Sequence, residues 1–544
     1  MNSVAERLLE SWLDNQTERR YQPAFIQMLV SEGWRVLHNT RHAPIELGKD
    51  VIARNPAGVL HCFQLKGNPN SRVTKSEAAD LLTQFHELLI LPPGPEFRKG
   101  PREKHVAVFV TNGEIDEEAR LVFERAGAAC GQPGVAASSY ELWSRGNLLD
   151  LLKPALRVWP IKLEGTRLIL NLLAGDGREQ PVPREISAVM ASLMPPADAK
   201  SPARTSALTS MFVVAEIIKA RWYETQNHQA LHAVTVLASV AAMPLADTAK
   251  RLAMVDAYAP LALEHCADLL AEARAHNYEP DRSWAERDIL GEFDVMWERR
   301  RLVADCAAIL LLGGVPIEPG IRSYAATLVT QVTHISMLWG QAQIPSIIVA
   351  FWARSTIDAG VGKEFDLAQT LSATLSVNGG QDDRTALAQP YYGFPDVWAF
   401  LNGMPHMTDS SIFDDTAFGH LHFGRALMFM LAKRNLKRIC RRLWPAFTQV
   451  IHEEPELPAD TFFDAALTEQ GTMRQIQLRM AVWNDLLNEA IDAGSAGYLD
   501  RFASLRWLLA AYVSLVPYRA WTPVLMWLDD RFAATWYHRG YRPR

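Results

Sequence analysis

The apolar residues of this chain keep two different periods, and the change falls between positions 160 and 206. Before it, apolar runs of strand length alternate with stretches of helical spacing. After it, Ala, Leu, Met and Trp recur at helical spacing almost throughout, for example over 206–223, 228–242, 284–312 and 473–493. A chain patterned this way cannot be one bundle or one sandwich. It reads as an α/β domain with a mixed sheet flanked by helices, followed by a large, mainly α-helical region. The segment 174–205 holds Gly175, Gly177, Pro181, Pro183, Pro195, Pro196 and Pro202 and reads as a linker or irregular connection with one short helix inside it. The expected division is therefore 1–160, a connection over 161–205, and 206–544. The Gly-, Asp- and Pro-bearing loop 378–396 offers a split of the helical part into two.

Within the first part, 21–32 is helical, with Phe25, Met28 and Leu29 on one face and Gly33 closing it. Residues 34–38 form a strand candidate. Two β-rich runs, 50–54 and 59–65, are joined by Asn55-Pro56-Ala57-Gly58, which is turn chemistry. Thr74-Lys75-Ser76-Glu77 is a capping box before a helix to about 89. The apolar run 105–111 (HVAVFVT) has the length and content of a buried parallel strand. Helices over 115–126 and 148–152 follow, the latter capped by Asn147.

Composition narrows the function. Lys plus Arg is 55 against 61 Asp plus Glu, a net charge of −6, which excludes a protein that coats nucleic acid but not one with a local basic groove. Residues 1–160 carry 19 basic and 19 acidic side chains, so the rest carries 36 and 42 and all of the net negative charge. Five scattered cysteines with no CxxC pair argue against a disulfide framework and a zinc ribbon. The first twenty residues lack the pattern of a signal peptide. The uncharged stretch 323–353 contains Gln331, His334, Gln341, Gln343 and Pro345, and reads as two buried helices rather than a span. The expected location is the cytoplasm.

The chemistry concentrates in Glu46-Leu47-Gly48-Lys49-Asp50 and, after a turn, Gln64-Leu65-Lys66-Gly67. Alternation along a strand puts Gln64 and Lys66 on one face, and a hairpin brings Asp50 beside it. A carboxylate, an amide oxygen and an ammonium then converge. Hard oxygen ligands of this kind suit Mg²⁺ or Mn²⁺, with Asp50, the Gln64 side chain and the Leu65 carbonyl as ligands and Glu46 as a further candidate. Lys66 is placed to orient an attacking water and to stabilise charge building on a phosphate.

The order helix, GKD, hairpin, QLK, helix, strand resembles the PD-(D/E)xK nuclease superfamily, in particular its Mrr-like restriction endonuclease branch, over residues 15–155. The resemblance implies a metal-dependent endonuclease acting on DNA, with Asp50 and Gln64 binding metal and Lys66 catalytic. Gln64 stands where most relatives carry Glu, which removes one charge from the metal site. The family often adds a Glu from the first helix, for which Glu18 and Gln22 both stand near the right place. Relatives are commonly effectors of restriction or antiphage defence. That implies an activating ligand or sensor protein bound by the helical region, or an assembly of several copies. The alternative is a non-catalytic scaffold, a degenerate nuclease fold that binds nucleic acid or a partner.

Other signals are weaker. Gly360-Val361-Gly362-Lys363 lacks the first glycine of a P-loop and reads as a connection between helices. His406, Asp409, Asp414, Asp415, His420 and His422 form a loose cluster, either a second metal site or polar loop residues. Lys433, Arg434, Lys437, Arg438, Arg441 and Arg442 place six positive charges in ten residues. These, with Lys49, are candidates for nucleic-acid or nucleotide contact, or form a solvated face.

Overall fold

A computed structural model describes residues 3–39, 49–69, 71–158, 163–178, 180–276, 293–333, 338, 340–357, 364–378, 387–390, 392, 419–456, 462–463, 473–478, 482–493 and 497–533. Glu46, the 360–363 loop and His406, Asp409, Asp414 and Asp415 lie outside the described residues. Internal contacts divide the chain into two compact units. The first comprises Met1–Glu179, Ala188–Gln226 and Ala242–Tyr258. The second comprises Gln180–Ser187, Asn227–Ala241 and Ala259–Arg544.

The first unit opens with helices α1 (Ser3–Asp14) and α2 (Glu18–Ser31). Strands β1 (Arg35–Asn39), β2 (Val51–Arg54) and β3 (Leu60–Lys66) follow. The short β4 (Arg72–Val73) leads into α3 (Lys75–Ile90), whose start carries the Thr74–Glu77 capping box expected of it. Next come β5 (His105–Thr111), β6 (Glu114–Ile115), α4 (Glu117–Gly127), β7 (Ala137–Trp143) and α5 (Arg145–Leu152). The sheet order is β1-β2-β3-β5-β7. β1, β2 and β3 run antiparallel, whereas β3, β5 and β7 are parallel. The fully buried β5 sits beside β3 as its apolar run predicts. β7 is the strand that sequence reading missed. It lies at the edge, with Ser138, Ser139 and Glu141 exposed, so it has no continuous apolar run to announce it.

The β3 side chains feed two cores. Phe63 meets Phe25 of α2 and Trp143 of β7 at ring distances of 5.4 and 5.7 Å. Its neighbour Cys62 joins the opposite core with Phe85, Phe109 and Phe123. That alternation is the period-two geometry of a strand covered on both faces.

Helix α2 is enclosed more completely than its single apolar stripe suggests, since every residue from Tyr21 to Val30 is buried. The cause lies farther along the chain. The segment expected to be a connection contains α6 (Leu163–Ala174), α7 (Pro183–Ser192) and the start of α8 (Ser201–Glu224). α8, together with α10 (Ala249–Tyr258, following α9 at His228–Ala242), packs on α2. Gln27 of α2 is satisfied there by the Met254 carbonyl at 3.2 Å. Packing thus places α8 and α10 with the α/β part, a division that differs from the one drawn by composition.

The second unit is mostly helical. It includes α9, α11 (Leu261–Ala275), α12 (Phe293–Gly313), α13 (Pro319–Gln331) and later helices such as Ile344–Ile357, Gly424–Lys433 and Lys437–Gln449. Of the described part of the uncharged stretch 323–353, the helix Ile344–Ile357 is buried as expected, whereas α13 buries one face, with Ser323, Thr327 and Thr330 exposed. Among the described residues, one segment, His228–Leu245, is long and apolar enough to cross a membrane, and 89% of it is buried inside the protein, as a core helix would be. A three-stranded sheet of β8 (His420–Leu421), β9 (Ile451–Pro455) and β10 (Met473–Gln477) was not expected in this region.

Candidate active site

The β2–β3 hairpin brings Asp50 against the end of β3. The Asp50 backbone N–H donates to the Phe63 carbonyl at 2.8 Å, which extends the ladder one step past Val51. Its carboxylate Oδ2 then accepts two hydrogen bonds, from Gln64 Nε2 at 2.8 Å and from the Leu65 backbone N–H at 2.6 Å. Asp50 and Gln64 are therefore in contact, as the hairpin argument requires. Leu65 turns its N–H, rather than its carbonyl, to Asp50. The Gln64 side chain is buried, and its Oε1 accepts no hydrogen bond from the described residues. A buried amide oxygen without a donor is costly, and a cation is one group that would relieve it.

Lys66 closes the strand. Its Nζ lies 3.6 Å from Glu18 Oε2, with the two side chains 19% and 41% exposed. The same Glu18 oxygen accepts from the Gly67 N–H at 3.4 Å. Of the two candidates on α2, Glu18 is the one that touches Lys66, while Gln22 donates to Asn39 Oδ1 at 2.5 Å.

Three residues to which sequence reading gave no role hold this corner together. Asn112, just past β5, donates through Nδ2 to the carbonyls of Leu13 and Gln16, both at 2.8 Å. Its Oδ1 accepts from the Asn68 N–H at 2.7 Å, so one side chain ties the α1–α2 junction to the segment after β3. Gly67 is required by the closeness of that approach, because a Cβ there would sit 2.5 Å from the Glu18 backbone nitrogen. Tyr21, one turn into α2, donates its hydroxyl to the Lys66 carbonyl at 3.2 Å. Burial, reinforced by the negative charges of Glu18 and Asp50, pushes the Tyr21 phenol well above its ordinary value, so it stays a neutral donor. Of the three, only Gly67 belongs to the motif read from sequence, as the residue closing the Gln64-Leu65-Lys66 run.

The set that would hold a hard divalent cation is one carboxylate, Asp50, and one amide oxygen, Gln64 Oε1, although Gln64 now meets Asp50 through Nε2. It offers a single negative charge where a Glu in place of Gln64 would give two. An ammonium at the half-open end of the strand completes the arrangement.

The outlying basic candidates behave differently. Lys49 is 2% exposed, and burial lowers its pKa, so it is withdrawn from any phosphate. Lys433 and Arg434 are also buried, paired to Asp530 at 2.6 Å and Asp529 at 2.8 Å. Both are structural ions rather than free contacts. Lys437, Arg438, Arg441 and Arg442 remain exposed on the helix Lys437–Gln449. His420 and His422 converge on Glu453, at 2.6 and 3.0 Å, through the β8–β9 pairing. Comparison with protein-family models, with curated proteins and with solved structures gave no match.

Proposed function

We propose that the first unit is a divalent-metal-dependent endonuclease that hydrolyses DNA phosphodiesters at the Asp50–Gln64–Lys66 corner. The carrying observation is the contact of Asp50 with Gln64, beside a buried Gln64 oxygen that accepts no hydrogen bond from the described residues. In this reading Asp50 and Gln64 hold Mg²⁺ or Mn²⁺, which when bound would polarise the phosphate and acidify a water. Lys66 donates to that water or to a phosphate oxygen and offsets charge as it builds in the transition state. Glu18 keeps the ammonium oriented, and the Tyr21 hydroxyl fixes the backbone from which Lys66 projects. The resemblance to PD-(D/E)xK nucleases supports the same roles for Asp50, Gln64 and Lys66. It also suggests a defence effector regulated by the second unit.

A second reading draws on one observation. Gln64 and Leu65 already give Asp50 Oδ2 two N–H donors, so this carboxylate oxygen needs no ion, as in a nuclease fold that only binds. The deciding experiment incubates full-length protein with supercoiled plasmid and Mg²⁺ or Mn²⁺, beside Asp50→Ala and Lys66→Ala. Cleavage by wild type, reduced on the order of 10²–10³-fold or more in both variants, supports hydrolysis at this site. Equal cleavage by all three rejects the site. DNA binding without metal-dependent cleavage, across candidate activating ligands, supports the binding reading.

A further inference from the structure

Three soft donors that lie far apart in sequence meet inside the second unit. His232 comes from α9, Cys266 from α11 and Cys306 from α12. Their ligand atoms all lie within 4.8 Å of one another, and His232 Nδ1 is 3.1 Å from Cys266 Sγ. All three residues are buried, at 3%, 0% and 0% exposure. The cysteine spacing argued against a zinc ribbon, and that argument addresses only ligands clustered in sequence. Here each donor is carried by a different helix, so no short motif could report the site.

Pairing with one another is the plain explanation of such a cluster, since a buried thiol behaves as a small apolar group. Its geometry has a further use. Tetrahedral zinc sets sulfur and nitrogen ligands roughly 3.5–3.8 Å apart, so this trio would have to open by only a few tenths of an ångström around the 3.1 Å contact. Nδ1 now donates to the Ala262 carbonyl oxygen at 3.0 Å, a hydrogen bond that a metal on Nδ1 would replace. Charge selects the ion. Two thiolates, a neutral imidazole and a divalent cation sum to zero, whereas a monovalent ion with two thiolates would bury a net negative charge.

We propose that His232, Cys266 and Cys306 bind one zinc ion, which fastens α9, α11 and α12 together. Binding releases the two thiol protons as Zn–S bonds form, with no change of oxidation state. The test uses the full-length chain, purified under reducing conditions and stripped with a chelator, then titrated with Zn²⁺ and with Co²⁺. One equivalent of zinc per chain is expected, and Co²⁺ should give the intense thiolate-to-metal absorption of a two-sulfur site. That band should weaken in Cys306→Ser and Cys266→Ser. Because loss of a buried thiol can unfold the unit, wild type is also melted before and after stripping, and the stripped chain should melt lower. Absence of the Co²⁺ band in wild type overturns the proposal. So does a band unchanged in both variants, identical melting of stripped and loaded protein, or recovery of Cys266 and Cys306 as a disulfide. A thiolate band cannot arise at the oxygen-donor corner of the first unit, so this result is independent of the nuclease reading.

Discussion

Two sites, one in each unit, handle charge in opposite ways. At the β3 corner of the first unit, Lys66 and Glu18 stand 3.6 Å apart and partly exposed, beside a carboxylate and an amide with an unmet oxygen. In the second unit the charges near Arg434 are closed off. Arg434 makes two hydrogen bonds to Asp529 at 2.9 and 2.8 Å and a third to the Met430 carbonyl, while Trp352 Nε1 donates to the same aspartate at 2.9 Å. A buried pair held by several hydrogen bonds fixes packing and has little left to offer a ligand. A loose, half-open set costs less to form and keeps its donors and acceptors available. Similar residue types therefore serve structure in one place and suit chemistry in the other.

The largest effect should come from breaking the closed set. Arg434→Ala leaves Asp529 buried without its cation and is expected to destabilise the second unit by about 3–5 kcal/mol. Arg441→Ala, exposed seven positions on, should stay within about 0.5 kcal/mol. Chemical denaturation of the two variants checks this, and equal stability would erase the distinction between the units.

Next is Gly67→Ala, which forces a Cβ against the Glu18 backbone and must displace the start of α2. The expected cost is about 1–3 kcal/mol, together with a loss of cleavage as Glu18 leaves Lys66. A folded, fully active Gly67→Ala protein would show that the approach of α2 is incidental.

Gln64→Glu sharpens the comparison from the other side. It supplies the second carboxylate and should tighten Mn²⁺ binding roughly tenfold, by analogy with the loss seen when supporting groups of metal sites are removed. It should also lower stability without metal, because two carboxylates would face each other where Gln64 now donates to Asp50. Calorimetric titration and melting in a chelator read the two effects separately.

The smallest effect concerns pH. Hydrogen bonds from Arg54, at 2.7 and 2.9 Å, hold the Glu103 carboxyl down at about 2. A depressed carboxylate stabilises above its unfolded pKa, near 4.5, and loses that contribution as pH falls toward 2. Melting temperature should drop across this window in wild type, and less steeply in Arg54→Met.

What sequence made legible follows the range of the interactions. The Asp50–Gln64 contact was readable because one hairpin joins the two residues, and hairpin pairing is a local rule. The helix α3 was readable because its cap lies within four residues. Glu18 and Gln22 stayed unresolved, since a single turn of helical register separates them and β3 decides between them. Tyr21, Gly67 and Asn112 matter only once α1, α2 and β5 meet. The basic run misled for the same reason. The partners of Lys433 and Arg434 are Asp530 and Asp529, on another helix nearly a hundred residues away. The His232–Cys266–Cys306 trio, drawn from three helices, is the extreme case.

The central claim is that the Asp50 corner is built to hold a hard divalent ion. The most direct test is Mn²⁺ titration of the full-length protein, with free ion followed by electron paramagnetic resonance, beside Asp50→Asn of matched melting temperature. The account predicts a Mn²⁺ ion bound by wild type and lost in Asp50→Asn. The same stoichiometry and affinity in both proteins would contradict it.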